Sequence, residues 1–314
     1  MDVDRRVLVA DSIASAGVEK LRREVEVCVQ PDIQASEILS VVSDYHGLVV
    51  RNRTQVTSEV IAASSRLRVI GRAGVGTDNI DLDACRKHGI VVVNSPLATS
   101  ASVSEFTFGL MLSLARRIPF ADMQMKQGAW RKQELHGVEL NGKTLGIIGV
   151  GRIGSEVARL AVAFGMRVIA SDPYLSTTEM HARNVEPVTL ETVFSESEFI
   201  SIHTPLNRET RHIIDAATIS IMRDGVRIIC AARGGVIDEA ALLSGLQSKK
   251  VAGAALDVFE SEPPGLPALV EHPQMIATPH IAAQTLEAQV RVGLDVATEV
   301  LAALKGDELR WRVA

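Results

Sequence analysis

The chain has 314 residues, 46% of them apolar and 23% charged, with a formal net charge of −5; that is length for two domains or one large one, and enough apolar material for a core. The acidic balance argues against nucleic-acid binding, and an aromatic share of 4% argues against a base-stacking platform. Cys28, Cys85 and Cys230 lie far apart and form neither a CxxC pair nor a disulfide framework, which points to a reducing, cytoplasmic setting; no metal site is read, and no run of about 18 apolar residues offers a membrane span.

In chain order, a short apolar stretch, Val7–Ala10, turns acidic at Asp11, so no signal peptide is expected. Further β-branched runs follow at Val25–Val29, Gly47–Val50, Val69–Ile70 and Ile90–Val93. A second set comprises Thr144–Gly149, Val168–Ala170, Phe199–Ile202, Val226–Ile229, Val251–Ala255 and Met275–Ala277. Stretches of helical length separate most of them. Strands alternating with helices predict an α/β protein with doubly wound parallel sheets buried on both faces.

Between the two sets, Ser102 and Glu105 have the spacing of a capping box and open a predicted helix through about Arg117. Phe106, Phe108, Leu110, Met111, Leu112 and Leu114 leave it little polar face, so burial nearly all round is expected. Pro119 marks an end or kink, and Trp130 reads as a packing residue. Asn141-Gly142 is a turn signal. The domain crossover falls near residues 98–104, and Leu286–Leu304 reads as a helix returning to the first lobe. The predicted domains are 1–98 with 285–314, and 99–284. Little chain follows the return helix, so no added C-terminal regulatory domain is expected within it.

Gly149-Val-Gly151-Arg-Ile-Gly154 matches G-x-G-x-x-G between a predicted strand and a predicted helix. That context is the dinucleotide fingerprint: a tight turn at Gly149, close pyrophosphate approach at Gly151, and close packing at Gly154. Arg152 and Ile153 lie in the same loop, at a helix N-terminus whose free N–H groups suit phosphates. Asp172 closes the next strand, where a carboxylate accepts from ribose hydroxyls and repels a 2′-phosphate, which favours NAD over NADP.

Three polar groups follow later strands. Arg233 comes after Val226–Ile229, Glu262 after Val251–Ala255, and His280 after Met275–Ala277. A neutral His can take an alcohol proton near pH 7, and a carboxylate on its other nitrogen fixes the tautomer. An Arg can grip a carboxylate bidentately.

With these stretches in view, the chain resembles the D-isomer-specific 2-hydroxyacid dehydrogenases over nearly its whole length. The match runs through Gly149–Gly154, Ala231–Glu239, Leu256–Pro264 and Thr278–Ala283. The resemblance implies a flavodoxin-like substrate lobe and a Rossmann NAD-binding lobe, with NAD in the cleft. It implies hydride transfer between NAD and a D-2-hydroxy acid. Arg233 is then the substrate-binding and electrophilic residue, Glu262 the carboxylate partner and His280 the acid/base. Asp257 and the backbone near Ala231 would orient the nicotinamide. His203-Thr204-Pro205 and Ala283 would also contact the cofactor. The backbone of Gly74, Val75 and Gly76 would hold the substrate carboxylate.

Val50-Arg51, Gly71–Asn79 and Leu140–Leu145 resemble members of the family that act on D-3-phosphoglycerate. Arg51, Arg53, Arg66, Arg68 and Arg72 against one acid, Glu59, suggest a small anionic substrate. Arg51 and Arg53 follow a strand and are the phosphate candidates. Two positions depart from the pattern: Lys132 stands where an Arg is common, and Ala98-Thr99 where Gly-Asn is common. They leave hydroxypyruvate, glyoxylate or another 2-oxoacid open as substrate. A corepressor-like NAD-sensing protein is the reading from another class. The resemblance further implies a homodimer, or a tetramer, built around the apolar helix.

Overall fold

The computed structural model describes residues 5–314. They divide into two compact units: the residues up to Thr99 with Ala283–Ala314, and Ser100–Ala282.

The first unit holds β1 (Arg6–Val9), β2 (Glu26–Val29), β3 (Gly47–Val50), β4 (Val69–Arg72) and β5 (Val91–Val93) in the order β2-β1-β3-β4-β5, every pairing parallel. Because neighbouring residues of a strand face opposite ways, the sheet builds two cores. Leu8, Leu48 and Ile70 pack with Ile38 and Ile61 on one face. Val7, Val9 and Val49 pack on the other with Val292, Val296 and Val300. The last three belong to the helix Leu286–Lys305, which Thr285 caps at its start and Gly306, at φ +82°, ends.

The second unit holds β6 (Thr144–Ile148), β7 (Arg167–Ser171), β8 (Glu186–Pro187), β9 (Phe199–Ile202), β10 (Val226–Cys230), β11 (Val251–Leu256) and β12 (Met275–Ala277). Their order is β12-β11-β10-β9-β6-β7-β8, again parallel throughout. Chain progression reverses between β6 and β9. In open α/β sheets that switch point leaves a crevice outside the strand C-termini, where ligands bind. Leu145, Ile147 and Phe199 pack with Phe108 and Met111 on one face. Ile148, Ile200 and Ile228 pack with Leu242 and Leu246 on the other.

Several expectations need correction. The apolar linker helix starts at Ser100, so Ser102 lies inside its first turn and does not cap it. Its burial is one-sided: Phe108, Leu110 and Met111 are buried, whereas Phe106, Leu112 and Leu114 are only partly covered. It ends before Arg117, which adopts φ +54°, and a second helix, Ile118–Lys126, begins with Pro119 in its first turn. Trp130 does not pack within the chain; it is 79% exposed. The strand β8 had no apolar run to announce it, and as an edge strand it tolerates Pro187.

Candidate functional site

The β6 loop is shaped by contacts only glycine permits. Gly149 has φ +88°, and a Cβ there would lie 2.9 Å from the His203 carbonyl oxygen at the end of β9. A Cβ on Gly154 would lie 2.1 Å from the Gly149 carbonyl oxygen, so the helix Arg152–Ala163 sits directly against the turn. Space in front of Gly151 is open. Gly151 is the N-cap residue and supplies no side-chain cap, so the helix N-terminus offers its amides to an anion.

Asp172 follows β7. Its Oδ2 accepts from the Val150 N–H at 2.8 Å, and its Oδ1 from the Tyr174 N–H at 3.0 Å. The carboxylate thus shapes the glycine loop. Tyr174 in turn donates its hydroxyl to Glu209 at 3.0 Å. Sequence reasoning missed Arg183, whose guanidinium donates to the Val150 carbonyl from the other side. Nothing in the local sequence signals that contact.

His203 leaves β9 by donating its N–H to Ile148 at 2.8 Å, and its Nε2 meets the Ser201 hydroxyl at 2.8 Å. Burial pulls its imidazole down to about 4, so the ring is neutral at pH 7. The next hydroxyl, Thr204 Oγ1, is buried without a hydrogen-bond partner among the described residues. A buried orphan beside the glycine turn, open space before Gly151 and uncapped helix amides together suit a dinucleotide. Pro205 is exposed, and its carbonyl accepts from Thr210.

The loops after β10, β11 and β12 carry the polar trio. His280 Nδ1 lies 2.9 Å from Glu262 Oε2 and 3.1 Å from Oε1. Both side chains are 41% exposed, so the pair remains accessible, and Nε2 is the nitrogen left for a reacting hydroxyl. His280 has φ +53°, unusual for a non-glycine residue, and its N–H donates to Asp257 O. Asp257 explains how that conformation is held. Its side chain is fully buried and accepts from Thr278 Oγ1 at 2.6 Å, Ile281 N at 2.9 Å and Ala282 N at 2.8 Å. A residue expected to orient a nicotinamide therefore also ties down both sides of His280.

Arg233 is half-buried, with Nη1 donating to the Ala232 carbonyl. The adjoining Gly234 would place a Cβ 1.7 Å from the Phe259 carbonyl oxygen, so the Arg233 loop touches the loop that carries Glu262. Ala231 opens this loop, immediately after Cys230. Burial pushes the Cys230 thiol up to about 11, which leaves it protonated and unreactive.

In the first unit, Arg51 and Arg53 differ. Arg53 Nε lies 3.2 Å from Asp11, and its other nitrogens donate to the carbonyls of Ile33 and Ala10. Arg53 is thereby tied to the loops after β1 and β2, while its side chain stays 45% exposed. Arg51 is partly buried, and that burial lowers its guanidinium against the pull of Asp11. Gly74 is buried at φ +140°, Val75 beside it is exposed and Gly76 is half-buried. Ala283 belongs to this unit, its carbonyl accepting from Gln289 at 2.9 Å. Among the described residues, no three His, Cys, Asp or Glu side chains gather as metal ligands, and no helix is long and apolar enough to cross a membrane.

Comparison with known proteins bears on the family. A family model described as "D-isomer specific 2-hydroxyacid dehydrogenase, NAD binding domain" matches residues 108–282. The chain is 43% identical over 306 residues to D-3-phosphoglycerate dehydrogenase of Sus scrofa, covering 97% of this chain and 57% of that protein. Identity to the Bacillus subtilis enzyme of the same name is 45% over 303 residues, covering 96% and 57%. The chain thus spans little more than half the length of these curated relatives. A solved glyoxylate reductase from Paecilomyes thermophila superposes with a TM-score of 0.91 at 32% identity, covering 100% of this chain and 99% of that one.

Proposed function

The chain belongs to the D-isomer specific 2-hydroxyacid dehydrogenase family, and from that premise we propose that it moves a hydride between NAD and a D-2-hydroxy acid, with D-3-phosphoglycerate as the favoured substrate. The observation that carries the reading is the contact of His280 with Glu262, both oxygens of the carboxylate facing Nδ1. The bound nicotinamide supplies a hydride acceptor in one direction and a donor in the other.

The chain's own residues do the rest. Amides at the start of the helix Arg152–Ala163 would hold the pyrophosphate, and Asp172 the adenosine ribose. Thr204, His203 and Asp257 complete the cofactor set. His280 Nε2 takes the substrate hydroxyl proton, while Glu262 at Nδ1 steadies the imidazolium that forms. In reduction the same nitrogen returns the proton. Arg233 grips the substrate carboxylate and polarises the adjacent oxygen. Arg51, Arg53 and the backbone of Gly74–Gly76 are the candidates for the substrate's anionic groups.

Identity to two enzymes named D-3-phosphoglycerate dehydrogenase supports the substrate. Likeness to a glyoxylate reductase keeps hydroxypyruvate and glyoxylate as the second reading. The test is a panel of 3-phosphoglycerate, hydroxypyruvate, glyoxylate and 2-oxoglutarate with NAD or NADH, followed at the nicotinamide absorbance. Turnover of none of them would defeat the reading and favour an NAD-sensing binding protein. The unpaired Cys28, Cys85 and Cys230 support a cytoplasmic location.

The same reading includes a homodimer. The helix Ile118–Lys126 has no buried residue, and Ile118, Met123, Met125 and Trp130 are all exposed. Such a patch suits a self-complementary apolar interface. Light scattering at micromolar concentration is expected to give the dimer mass, and a monomer would refute this part.

A further inference from the structure

A second histidine–carboxylate pair has its carboxylate on the same loop as the first. His212 Nε2 is 2.9 Å from Glu260 Oε1, and Glu260 is two residues before Glu262. His212 also reaches the Arg233 loop: its N–H donates to the Gly235 carbonyl at 2.9 Å. The strip continues as Ile214 N–H to Val236 O and Asp238 N–H to Ile214 O. One residue therefore bonds the Arg233 loop through its backbone and the Glu262 loop through its ring.

Two details show that this arrangement is held rather than incidental. His212 sits at φ +50°, a conformation that costs a non-glycine residue energy and persists only when its surroundings fix it. Glu260 is fixed from its other end, its N–H donating to the buried Glu239 carboxylate at 2.7 Å. Burial raises Glu239, and the Glu260 N–H opposes that rise. On the Glu262 side, the Phe259 N–H turns back toward Glu262 Oε1. Displacing Glu260 would move the turn from Phe259 to Glu262 as one piece.

We infer that His212 and Glu260 form a positioning strap that sets the Arg233 loop and the Glu262 loop in register, so that Glu262 meets His280 while Arg233 meets the substrate. The inference rests on the dehydrogenase reading for its kinetic consequence but not for the tie itself. Neither residue is assigned a proton or a substrate contact. They act through the loops. A displacement of about 1 Å in a catalytic group can cost about 10²-fold in rate, which is the scale on which such a strap matters.

The test uses the full chain in four forms: His212→Ala, His212→Gln, Glu260→Ala and Glu260→Gln. Ala and Gln at 212 share the same backbone strain, so the difference between them reads the side chain. Gln at 212 can still donate an amide proton to Glu260, and Gln at 260 still offers an acceptor oxygen. Three readouts are taken: kcat and KM on the best substrate of the panel, NAD affinity by equilibrium dialysis, and hydrogen–deuterium exchange of peptides covering 231–236 and 257–264.

The strap predicts that both Ala variants lose about 10–10²-fold in kcat. NAD affinity holds, and both Gln variants recover most of the loss. Exchange across 257–264 quickens in the Ala variants and slows again in the Gln variants. The double Ala variant is no worse than the poorer single one, as coupled partners require. Unchanged kcat in the Ala variants, Gln variants as impaired as Ala, or NAD affinity falling in step with kcat would each overturn it. If the wild type turns over no hydroxy acid, the dehydrogenase reading fails, and the exchange measurement alone decides the strap.

Discussion

Replacing Asp257 by Ala tests how the His280 loop is held. The carboxylate accepts three hydrogen bonds, from Thr278 Oγ1, Ile281 N and Ala282 N, and is itself fully buried. The three donors do not suffer equally. Ala282 is buried, so its N–H is stranded without water, at a cost of about 1–3 kcal/mol. Thr278 and Ile281 lie nearer the surface and can turn to solvent, losing about 0.5–1.5 kcal/mol each. The sum is about 4 kcal/mol, the middle of a range of about 2–6, which in a unit of this size lowers Tm by about 8–16 °C. His280 at φ +53° then loses the frame on both sides of it. Turnover is expected to fall even in the fraction that remains folded. Asp257→Asn keeps the shape but turns an amide donor toward a backbone donor, so it should recover only part of the loss. Differential scanning fluorimetry with steady-state kinetics reads both effects. A Tm within 1–2 °C of wild type for Asp257→Ala, at most about a quarter of the expected shift, would refute the assignment of Asp257 as the anchor.

Other substitutions separate the remaining roles. His280→Ala should lower turnover by about 10²–10⁴-fold while leaving NAD binding intact, as dialysis would show. Asp172→Ala should raise the relative use of NADP, and it should also weaken NAD itself, because the Val150 and Tyr174 amides lose their acceptor. A variant that gains NADP with undiminished NAD affinity would mean that the loop does not depend on Asp172. His203 gives a pH dependence. Its folded imidazole titrates near about 4 against 6.5 in the unfolded chain, so the unfolded state takes up the proton first as pH falls. Stability should therefore decline between about pH 6.5 and 4 and be unaffected by this group above that window. His203→Gln should flatten the decline measured by urea unfolding at several pH values.

The parts that sequence reasoning could reach are those encoded locally. A glycine triplet at fixed spacing between strand and helix reports its own geometry, because the turn at Gly149 and the packing at Gly154 exclude a Cβ, while Gly151 leaves the space before it open. Strands with β-branched runs on both faces report a parallel sheet. The edge strand Glu186–Pro187 could not be read that way, since it buries too little to need an apolar run. The capping-box spacing at Ser102 and Glu105 misled because it describes what a helix start would use, not whether the helix begins earlier.

What lay out of reach was pairing across distance. Arg53 reads in the sequence as one of a cluster of basic residues, and only the fold brings Asp11 and the Ala10 and Ile33 carbonyls to its guanidinium. Arg183 bonding the glycine loop, and Asp257 framing His280, are contacts of the same kind. They join residues that no periodicity relates. Reacting groups need particular side-chain chemistry, so the proposed trio, His280, Glu262 and Arg233, is visible as residue types after successive strands. Groups that hold them need only an acceptor or a donor at the right place, and many residue types offer one. Asp257 shows both properties in one residue: its position after β11 marks it for the site, while its three bonds to the β12 loop give it a structural task that the position alone does not reveal. The Asp257→Ala and Asp257→Asn pair separates the two, because loss of a nicotinamide contact would lower NAD affinity without moving Tm, whereas loss of the frame moves Tm in the absence of any ligand.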